Sequence, residues 1–483
     1  MKFSFQKHYQ NLPTEFYSSE TAESHKNPQV ILFNDSLAGF LNIFNNSQDF
    51  ESLSATDQQS LAQILSGAKV LSGSNPIAMA YSGHQFGHFT MLGDGRAILL
   101  GEILGSNNKL YDIHLKGSGP TEYSRRGDGF ATVGPMIREF LVSEYMNAIG
   151  IPTTRSLAVL STNHTVHRDG PKPGAILVRV SESHIRVGTF QYAAQFGVSD
   201  HKLVKSLADY SIDRHFPNLT TDPQKYFKFF KTVVGLQAEL IAKWMGVGFI
   251  HGVMNSDNML ICGATIDYGP CAFMDEFNPN AVFSSIDSQG RYAYSNQPII
   301  AQWNLARFAE SILPLLDSDM DKAVSMAEDV LGYYLEAFQE KLSQEYGDKF
   351  GLNFFGPKEH QMAEKFFECL KNNNLDYTQS FRSLADEVYI AALDPFYPLW
   401  DDRIRDQQIK KSEVIKRMKA KNPVVIPRNH VVDSVLRQAE SGNYNPAKSL
   451  FQDLINPFSQ PKNQELLQLP NSTNRVTKTF CGT

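Results

Sequence analysis

An α+β fold, in which a strand-rich part is followed by a helical part, is predicted for this chain of 483 residues. Three observations lead to this prediction. Short apolar runs flanked by glycines lie before about residue 190, helical periodicity dominates after it, and the chain is too long for one compact core. We therefore expect two or three lobes, with a ligand-binding cleft between the two main parts.

The strand-rich part is predicted from several apolar stretches and one helix. Two apolar runs flank Gly93-Asp-Gly95 within residues 89–103, which indicates a strand, a glycine turn and a second strand. Gly134-Pro135 opens a helix that ends near Gly150, since proline suits a first helical turn and glycine a C-terminal cap. Further strands are indicated at residues 111–117 and 175–180.

The helical part begins with a helix that starts at Asp222-Pro223 and stops at Gly246. Further helices are predicted at residues 299–316, 320–346, 357–372 and 377–393, and a short one at 446–455 in an otherwise loosely structured tail. The expected divisions are an N-terminal extension (1–80), a small lobe (81–190), a helical large lobe (191–440) and a C-terminal tail (441–483).

Composition argues against several classes of function. The net charge of −6 argues against general nucleic-acid binding, which requires a basic surface. No apolar run approaches membrane-spanning length, and the N-terminal residues resemble neither a secretory signal nor a transit peptide. Four cysteines are too few for a disulfide framework in a chain of this length. We therefore expect a cytoplasmic protein with neither nucleic-acid nor membrane partners. We also expect a monomer, although these observations do not determine the oligomeric state.

The strongest functional signal is the segment from His251 to Gly269. His251-Gly-Val-Met-Asn-Ser-Asp-Asn258 follows a long helix, and the next residues indicate a strand, a glycine turn and a strand that ends at Asp267-Tyr-Gly269. This is the order of the catalytic and magnesium loops of protein kinases. Asn258 and Asp267 supply the amide oxygen and carboxylate that a divalent ion bound to nucleotide phosphates requires. A protein-kinase-like bilobal fold is therefore predicted.

The same loop departs from the kinase pattern at its general base. Val253 occupies the position of the catalytic aspartate, and valine cannot accept a proton. Asp257 is the only carboxylate in the loop, so it either serves as the base or only shapes the site. The residue pattern leaves both roles open.

Residues upstream of this loop suit phosphate binding. Gly93-Asp-Gly95 can turn backbone N–H groups towards phosphates, although the same pattern is typical of a plain hairpin turn. Arg96, directly after the turn, favours phosphate binding. Lys116 ends a strand, and Glu139 follows 23 residues later in a helix, as in the lysine–glutamate pair of kinases. Glu144 competes with Glu139 for this role.

Further charged residues surround the predicted phosphate site. Arg179 lies in an apolar strand, where an unpaired charge would be costly, and Arg186 follows the end of that strand. Asp128-Gly129 follows Arg125-Arg126 in the loop before the helix. Arginine binds phosphate through two parallel hydrogen bonds, and these arginines exceed what γ-phosphate transfer requires.

Together the motifs resemble those of the selenoprotein O family of protein adenylyltransferases, here in a form with cysteine. The resemblance runs from about Tyr81 to Ala309 and weakens towards the C-terminus. The segments that carry it are 81–87, 92–96, 115–129, 178–186, 251–258, 266–270, 291–298 and 303–305. As a set, these segments are highly specific for this family.

The resemblance implies a kinase-like fold that binds ATP in a flipped orientation, with the α-phosphate facing the acceptor. It implies transfer of AMP to Ser, Thr or Tyr hydroxyls of proteins, with release of pyrophosphate and with Mg²⁺ or Mn²⁺ as cofactor. By family match, Asp257 is the proton acceptor, and Asn258 and Asp267 bind the metal. The implied ATP-binding residues are Gly93, Gly95, Arg96, Lys116, Asp128, Gly129, Arg179, Arg186 and Asp267.

The resemblance also suggests a redox function for two cysteines. The family often carries a cysteine or selenocysteine near the C-terminus, and Cys481 matches that position. Cys271 lies just beyond Asp267-Tyr-Gly-Pro270. A disulfide between Cys271 and Cys481 would tether the tail to the active site, and in a reducing cytosol it would form only transiently. The alternative is two separate thiols.

Three other functions stay open at this point. Mn²⁺-dependent UMP transfer would use the same phosphate pocket with UTP. A kinase that transfers the γ-phosphate is disfavoured by Val253 and by the additional arginines. A catalytically inactive pseudokinase scaffold that only binds nucleotide is disfavoured by the retained pair Asn258 and Asp267.

Overall fold

The computed structural model describes residues 1–23, 25, 27–44, 48–196 and 201–480. Most strands precede residue 182 and most helices follow it, as predicted. The strands are β1 (Tyr17–Ser19), β2 (Gln29–Phe33), β3 (Ile77–Met79), β4 (Ser82–Gln85), β5 (His88–Met91), β6 (Ala97–Leu104), β7 (Leu110–Lys116), β8 (Ala131–Thr132), β9 (Arg155–Arg168), β10 (Gly170–Ser181), β11 (Phe249–Ile250) and β12 (Ala272–Phe273). The helices are α1 (Asp35–Phe40), α2 (Ala55–Leu65), α3 (Val133–Ala148), α4 (Val187–Phe196), α5 (Lys202–His215), α6 (Lys225–Val247), α7 (Gln297–Leu316), α8 (Met320–Phe350), α9 (Pro357–Asn372), α10 (Tyr377–Ala385), α11 (Tyr397–Asp406), α12 (Lys411–Lys421), α13 (Asn429–Glu440) and α14 (Asn445–Leu454).

One antiparallel sheet organises the strand-rich part. Its strand order is β1-β3-β6-β7-β10-β9-β2, and β8 pairs with β10. Successive side chains of a strand point to opposite faces, and accordingly Leu177 belongs to one hydrophobic core while Ile176 and Val178 belong to another. α3 packs against β9 and β10 in the first core, and residues of α1 and α2 help to form the second. The sheet is thus covered on both faces.

The helical part is built around α6, which packs against both α7 and α8. Buried residues of α6, such as Phe230 and Ile241, belong to the same hydrophobic core as Ile137 and Phe140 of α3. The strand-rich and helical parts therefore share one continuous core beneath the site described below. Within the described ranges, no helix has the length and apolar character needed to cross a membrane.

The strand predictions were incomplete in two respects. The region before residue 81 supplies β1, β2 and β3 to the main sheet in addition to its short helices, and the long strand β9 was not predicted. The strands on either side of Gly93-Asp-Gly95 exist, but they do not form a hairpin. β5 pairs with β4 in a separate two-stranded sheet, whereas β6 pairs with β3 and β7. Apolar alternation predicts a strand but not its partner.

The predicted hairpin between Asn258 and Asp267 is wrong. No strand is assigned between residues 259 and 269, because the two sides of this segment bond to other parts of the chain. On the first side, Ile261 N donates to Ile185 O at 3.1 Å. On the second side, Thr265 N donates to Pro152 O at 2.9 Å. The segment therefore crosses between neighbouring elements and still returns Asp267 to the site.

Several helix boundaries also differ from the prediction. α6 begins after Gln224 and ends at Val247. The next residue, Gly248, caps the helix in a left-handed conformation with φ of 70°. α10 ends at Ala385 instead of residue 393, and Glu387 beyond it has a positive φ of 57°. The helices α4, α5, α11, α12 and α13 were not predicted. The tail beyond α14 has little regular structure, but it is packed, since Leu466 is fully buried.

Candidate active site

A cleft of about 780 Å³ opens between the sheet, α3 and the segment that follows β11. Side chains from distant parts of the sequence surround it. The lining includes all twelve residues that the sequence associates with nucleotide, metal, proton transfer or the supporting ion pair, namely Gly93, Gly95, Arg96, Lys116, Asp128, Gly129, Glu139, Arg179, Arg186, Asp257, Asn258 and Asp267.

Two cations and two carboxylates form a closed network at the base of the cleft. Lys116 Nζ lies 2.7 Å from Glu139 Oε2 and 2.6 Å from Asp267 Oδ1. Arg179, from the middle of the sheet, also contacts both carboxylates, with its Nη2 at 2.6 Å from Asp267 Oδ1. Because each buried charge has partners of opposite sign, the network avoids the cost of an isolated buried ion.

Asp267 links Lys116 and Arg179 of the main sheet to the side of the cleft that the loop of residues 251–258 forms. Its φ of 65° lies in the left-handed region, which non-glycine residues adopt infrequently and which is often found at functional sites. Burial would raise the pKa of Asp267, but the charges of Lys116, Arg179 and Arg186 outweigh it and hold the pKa well below its usual range. Asp267 is therefore ionised at neutral pH.

Arg186 lies on the other side of Asp267, at the start of α4. Its Nη1 donates to the backbone oxygen of Asp257 at 3.0 Å, and its guanidinium stacks on the ring of Tyr81 at 4.3 Å. Its carboxylate contacts are long, at 3.5 Å to Asp267 and 3.8 Å to Asp94. Arg186 is thus buried and held in place, yet it keeps much of its capacity to bind an anion.

Asp257 occupies a very different environment from Asp267. Gln85 Nε2 approaches its Oδ2 at 3.5 Å, and its buried Oδ1 has no hydrogen-bond partner in the described part of the chain. A Cβ on Gly83 would come within 2.5 Å of Oδ1, so this glycine permits strand β4 to pass over the carboxylate. Burial raises the pKa of Asp257 to about 6, against the opposing charge of Arg186. Such a carboxylate is suited to accepting a proton.

The loop that carries Asp257 and Asn258 is held by internal hydrogen bonds. His251 Nε2 contacts the backbone oxygen of Ile266 at 2.8 Å, which ties the start of the loop to the residue before Asp267. Asn258 Nδ2 donates to Val253 O at 2.9 Å, and no described donor bonds its Oδ1. Oδ1 of Asn258 and the carboxylate of Asp267 are hard oxygen donors of the kind that Mg²⁺ and Mn²⁺ prefer.

The glycine segment Gly93–Gly95, before β6, packs directly against the loop of residues 121–124. Thr121 Oγ1 donates to Asp94 O at 2.7 Å, and Ser124 Oγ donates to Gly95 O at 2.5 Å. A Cβ on Gly93 would overlap the ring of Tyr123, and one on Gly95 would lie 2.7 Å from Tyr123 O. These glycines are thus required by close chain packing, whatever they contribute to phosphate binding. Asp94 points inward, to His114 Nε2 at 2.9 Å.

The outer end of the cleft contains residues that sequence reasoning missed or only partly described. Arg168 in β9 holds Asp128 through two hydrogen bonds, at 2.8 and 2.9 Å, and thereby lowers the pKa of Asp128. Arg168 was not predicted, because neither its spacing nor a motif marks it. Arg125 and Arg126 are exposed at the same end, beside the half-buried Arg96.

Glu144 and the two cysteines complete the list of predicted residues. Glu144 accepts hydrogen bonds from Arg155, Asn34 and the backbone N–H of Ser156, so Glu139 is the glutamate that pairs with Lys116. Cys271 is buried, and its Sγ lies 3.6 Å from Tyr268 O. Cys481 lies outside the described residues.

Comparison with known proteins decides the family. The family model described as protein adenylyltransferase SelO matches residues 1–455. The chain belongs to this family. The match confirms the resemblance inferred from the motifs and extends it towards both ends of the chain. As a member of this family, the chain is an enzyme, a nucleotidyltransferase.

Bacterial relatives match the chain over almost its whole length. A protein nucleotidyltransferase YdiU of Clostridium perfringens is 46% identical to this chain. The alignment covers 100% of this chain and 98% of that protein. The corresponding protein of Halalkalibacterium halodurans is also 46% identical over 100% of this chain and 98% of its own length. That of Bacillus mycoides is 45% identical over 98% of this chain and 97% of its own length.

Proposed function

We propose that this chain transfers AMP from ATP to Ser, Thr or Tyr hydroxyls of acceptor proteins and releases pyrophosphate. The proposal includes a kinase-like bilobal arrangement, with the nucleotide bound between residues 81–190 and residues 191–440. The observation that carries it is the concentration of Lys116, Arg179 and Arg186 at one side of the cleft, next to a poorly hydrogen-bonded carboxylate, Asp257.

The position of the cations favours attack at the α-phosphorus. The leaving group of that reaction is pyrophosphate, whose charge requires several fixed cations in the transition state. Lys116, Arg179 and Arg186 are buried and already oriented by Glu139 and Asp267, so they need little reorganisation to bind it. We assign the β- and γ-phosphates to these cations, and the glycine segment Gly93–Gly95 with Arg96 and Asp128-Gly129 to the rest of the ATP pocket.

The chemical step requires one base and one acceptor hydroxyl. The hydroxyl oxygen attacks the α-phosphorus, the bond from that phosphorus to pyrophosphate breaks, and Asp257 takes the hydroxyl proton. Asn258 and Asp267 would hold Mg²⁺ or Mn²⁺. When bound, the ion neutralises charge on the triphosphate as the bond to pyrophosphate breaks. Asp267 is kept ionised for this role by the three neighbouring cations.

The proposal extends to the cysteines, the oligomeric state and the cellular location of the chain. The Cys271–Cys481 redox pair is supported by the tail, since Thr479 Oγ1 donates to Pro270 O at 2.7 Å, directly before Cys271. A monomeric state and a cytoplasmic location stay predictions. UMP transfer from UTP is the second candidate, because the relatives are named nucleotidyltransferases and their names do not specify the nucleotide.

Labelled nucleotides test the reaction directly. The chain is incubated with ATP labelled at the α- or γ-phosphate, with Mg²⁺ or Mn²⁺, and label in protein is followed. We expect transfer of the α-label only. Transfer of the γ-label alone would indicate a kinase, and binding without transfer would indicate a scaffold. A parallel reaction with α-labelled UTP decides between AMP and UMP.

A further inference from the structure

Arg138 is a buried cation that the proposed reaction does not use. It precedes Glu139 in α3, but its described hydrogen bonds go to residues outside the Lys116 network. Its Nε donates to Gly269 O at 3.0 Å and its Nη2 to Cys271 O at 2.5 Å. No carboxylate pairs with it in the described part of the chain. Burying a guanidinium that is bound only by neutral oxygens costs free energy, so the presence of Arg138 at this position suggests that its contacts serve a purpose.

The remaining partner of Arg138 comes from the C-terminal helices. Arg138 Nη2 donates to Asn429 Oδ1 at 2.9 Å, and Asn429 is the first residue of α13. α13 and α14 both pack against α3. One guanidinium therefore joins three elements: the helix that carries Glu139, the backbone just after Asp267, and the start of α13.

A second contact anchors the start of α13 to the same region. Arg428, the preceding residue, is completely buried and binds Asp275 Oδ1 at 2.6 Å, Asp376, and Leu466 O at 2.8 Å. Asp275 follows β12, eight residues beyond Asp267. The pair Arg428-Asn429 thus holds the chain on the C-terminal side of Asp267, directly through Asp275 and indirectly through Arg138.

We infer that Arg138 and Asn429 are positioning residues, which keep Glu139 and Asp267 in the arrangement that transfer requires. This inference rests on the proposed function. Both residues are at least nine-tenths buried, and neither lines the cleft, so they act through the residues that do. The helix α13 supplies the contact from within the same chain.

The sharpest test replaces Asn429. Asn429→Leu removes the acceptor and keeps a side chain with the same branched arrangement of four heavy atoms, and Asn429→Asp keeps an oxygen within reach of Arg138. The Nδ2 of Asn429 has no described hydrogen-bond partner, so leucine loses only one bond and the chain should fold. We expect Asn429→Leu to lower kcat for α-label transfer about 10-fold or more, with a smaller change in KM for ATP. Asn429→Asp should stay within about threefold of wild type.

A double-variant comparison checks that Arg138 and Asn429 act together. The combination of Arg138→Met with Asn429→Leu should lower kcat no further than Arg138→Met alone, since both changes break one chain of contacts. Arg437→Gln is the matched control, because Arg437 lies on α13 with an exposed side chain paired to Asp433. A kcat within about threefold of wild type for Asn429→Leu, or additive losses in the double variant, would overturn the inference.

Hydrogen exchange separates this inference from the proposed function. Backbone amides of residues 267–275 should exchange faster in Asn429→Leu than in wild type or Arg437→Gln. If wild type transfers no label but exchange is faster in Asn429→Leu, the proposed function fails and the positioning contact stands. Unchanged exchange would show that Asn429 does not hold this segment, whatever the activity.

Discussion

Two carboxylates ten residues apart, Asp257 and Asp267, lie in opposite electrostatic environments. Three cations hold the pKa of Asp267 well below its usual range, whereas burial raises the pKa of Asp257 to about 6. Pairs of titratable groups with pKa values shifted apart are typical of sites in which one group binds cations and the other transfers a proton. The structure thus provides a physical basis for different roles of these two acidic residues.

The two carboxylates should respond differently to substitution. Asp257→Asn should lower kcat about 100-fold or more but leave ATP affinity within about twofold, because it removes only the proposed base. Asp267→Ala should abolish detectable transfer, because the proposed metal carboxylate and a partner of Lys116 and Arg179 are lost together. Single-turnover transfer of α-label and ATP binding by calorimetry measure the two effects. Near-normal transfer by either variant would contradict its assigned role.

At the scale of elements, the cleft depends on glycines that let two loops lie against each other. Gly93 and Gly95 accommodate Tyr123, and Gly129, with φ of 73°, lies against the backbone of Gly119. A Cβ on Gly129 would overlap that backbone, which cannot move aside as a side chain can. The loop of residues 119–129 is therefore shaped by packing, and its shape determines where Asp128 and the exposed arginines stand.

Gly129→Ala should disrupt this loop, whereas Gly127→Ala should be tolerated. Gly129 has both a positive φ and a backbone clash, while a Cβ on Gly127 would meet only Ser124 O at 3.2 Å. We expect Gly129→Ala to lower the free energy of unfolding by about 1–3 kcal/mol and to weaken ATP binding. Urea unfolding and calorimetric titration with ATP measure both. Equal behaviour of the two variants would contradict the packing argument.

At the scale of the whole molecule, the helical part contains a buried lysine. Lys349 in α8 is 3% exposed, and its Nζ lies 4.0 Å from the centre of the Phe381 ring. Burial, assisted by the nearby charge of Lys421 and opposed by Glu345, lowers the pKa of Lys349 to about 7. Between this value and the ordinary pKa of 10.5, the unfolded chain binds more protons than the folded protein. Lys349 therefore makes stability rise with pH.

Lys349→Met should reduce this pH dependence. The free energy of unfolding of wild type should increase from pH 7 to pH 9 relative to that of Lys349→Met, with a slope of up to about 1.4 kcal/mol per pH unit. Urea unfolding at several pH values measures the difference. Lys341→Met, a more exposed lysine of the same helix, is the control and should follow wild type. Parallel curves for wild type and Lys349→Met would contradict the prediction.

The sequence by itself determined the α+β class, the family and most of the residues around the cleft. Short apolar runs and helical periodicity are local signals, so β7, α3 and α9 were predicted within a few residues. The order of Asn258 and Asp267 after His251 is likewise a local pattern, which predicts a metal site from the sequence alone. Alternation and periodicity identify which face of an element is buried, but not what that face meets.

Only the tertiary structure decided which of these residues touch. Asp267 contacts Lys116, which is 151 residues away, and Arg138 contacts Asn429, which is 291 residues away. The structure also replaced the predicted hairpin after Asn258 with bonds to Ile185 and Pro152. Such contacts depend on how elements pack, because a buried polar group takes whichever partner the fold brings within hydrogen-bonding distance. No spacing in the sequence specifies that partner.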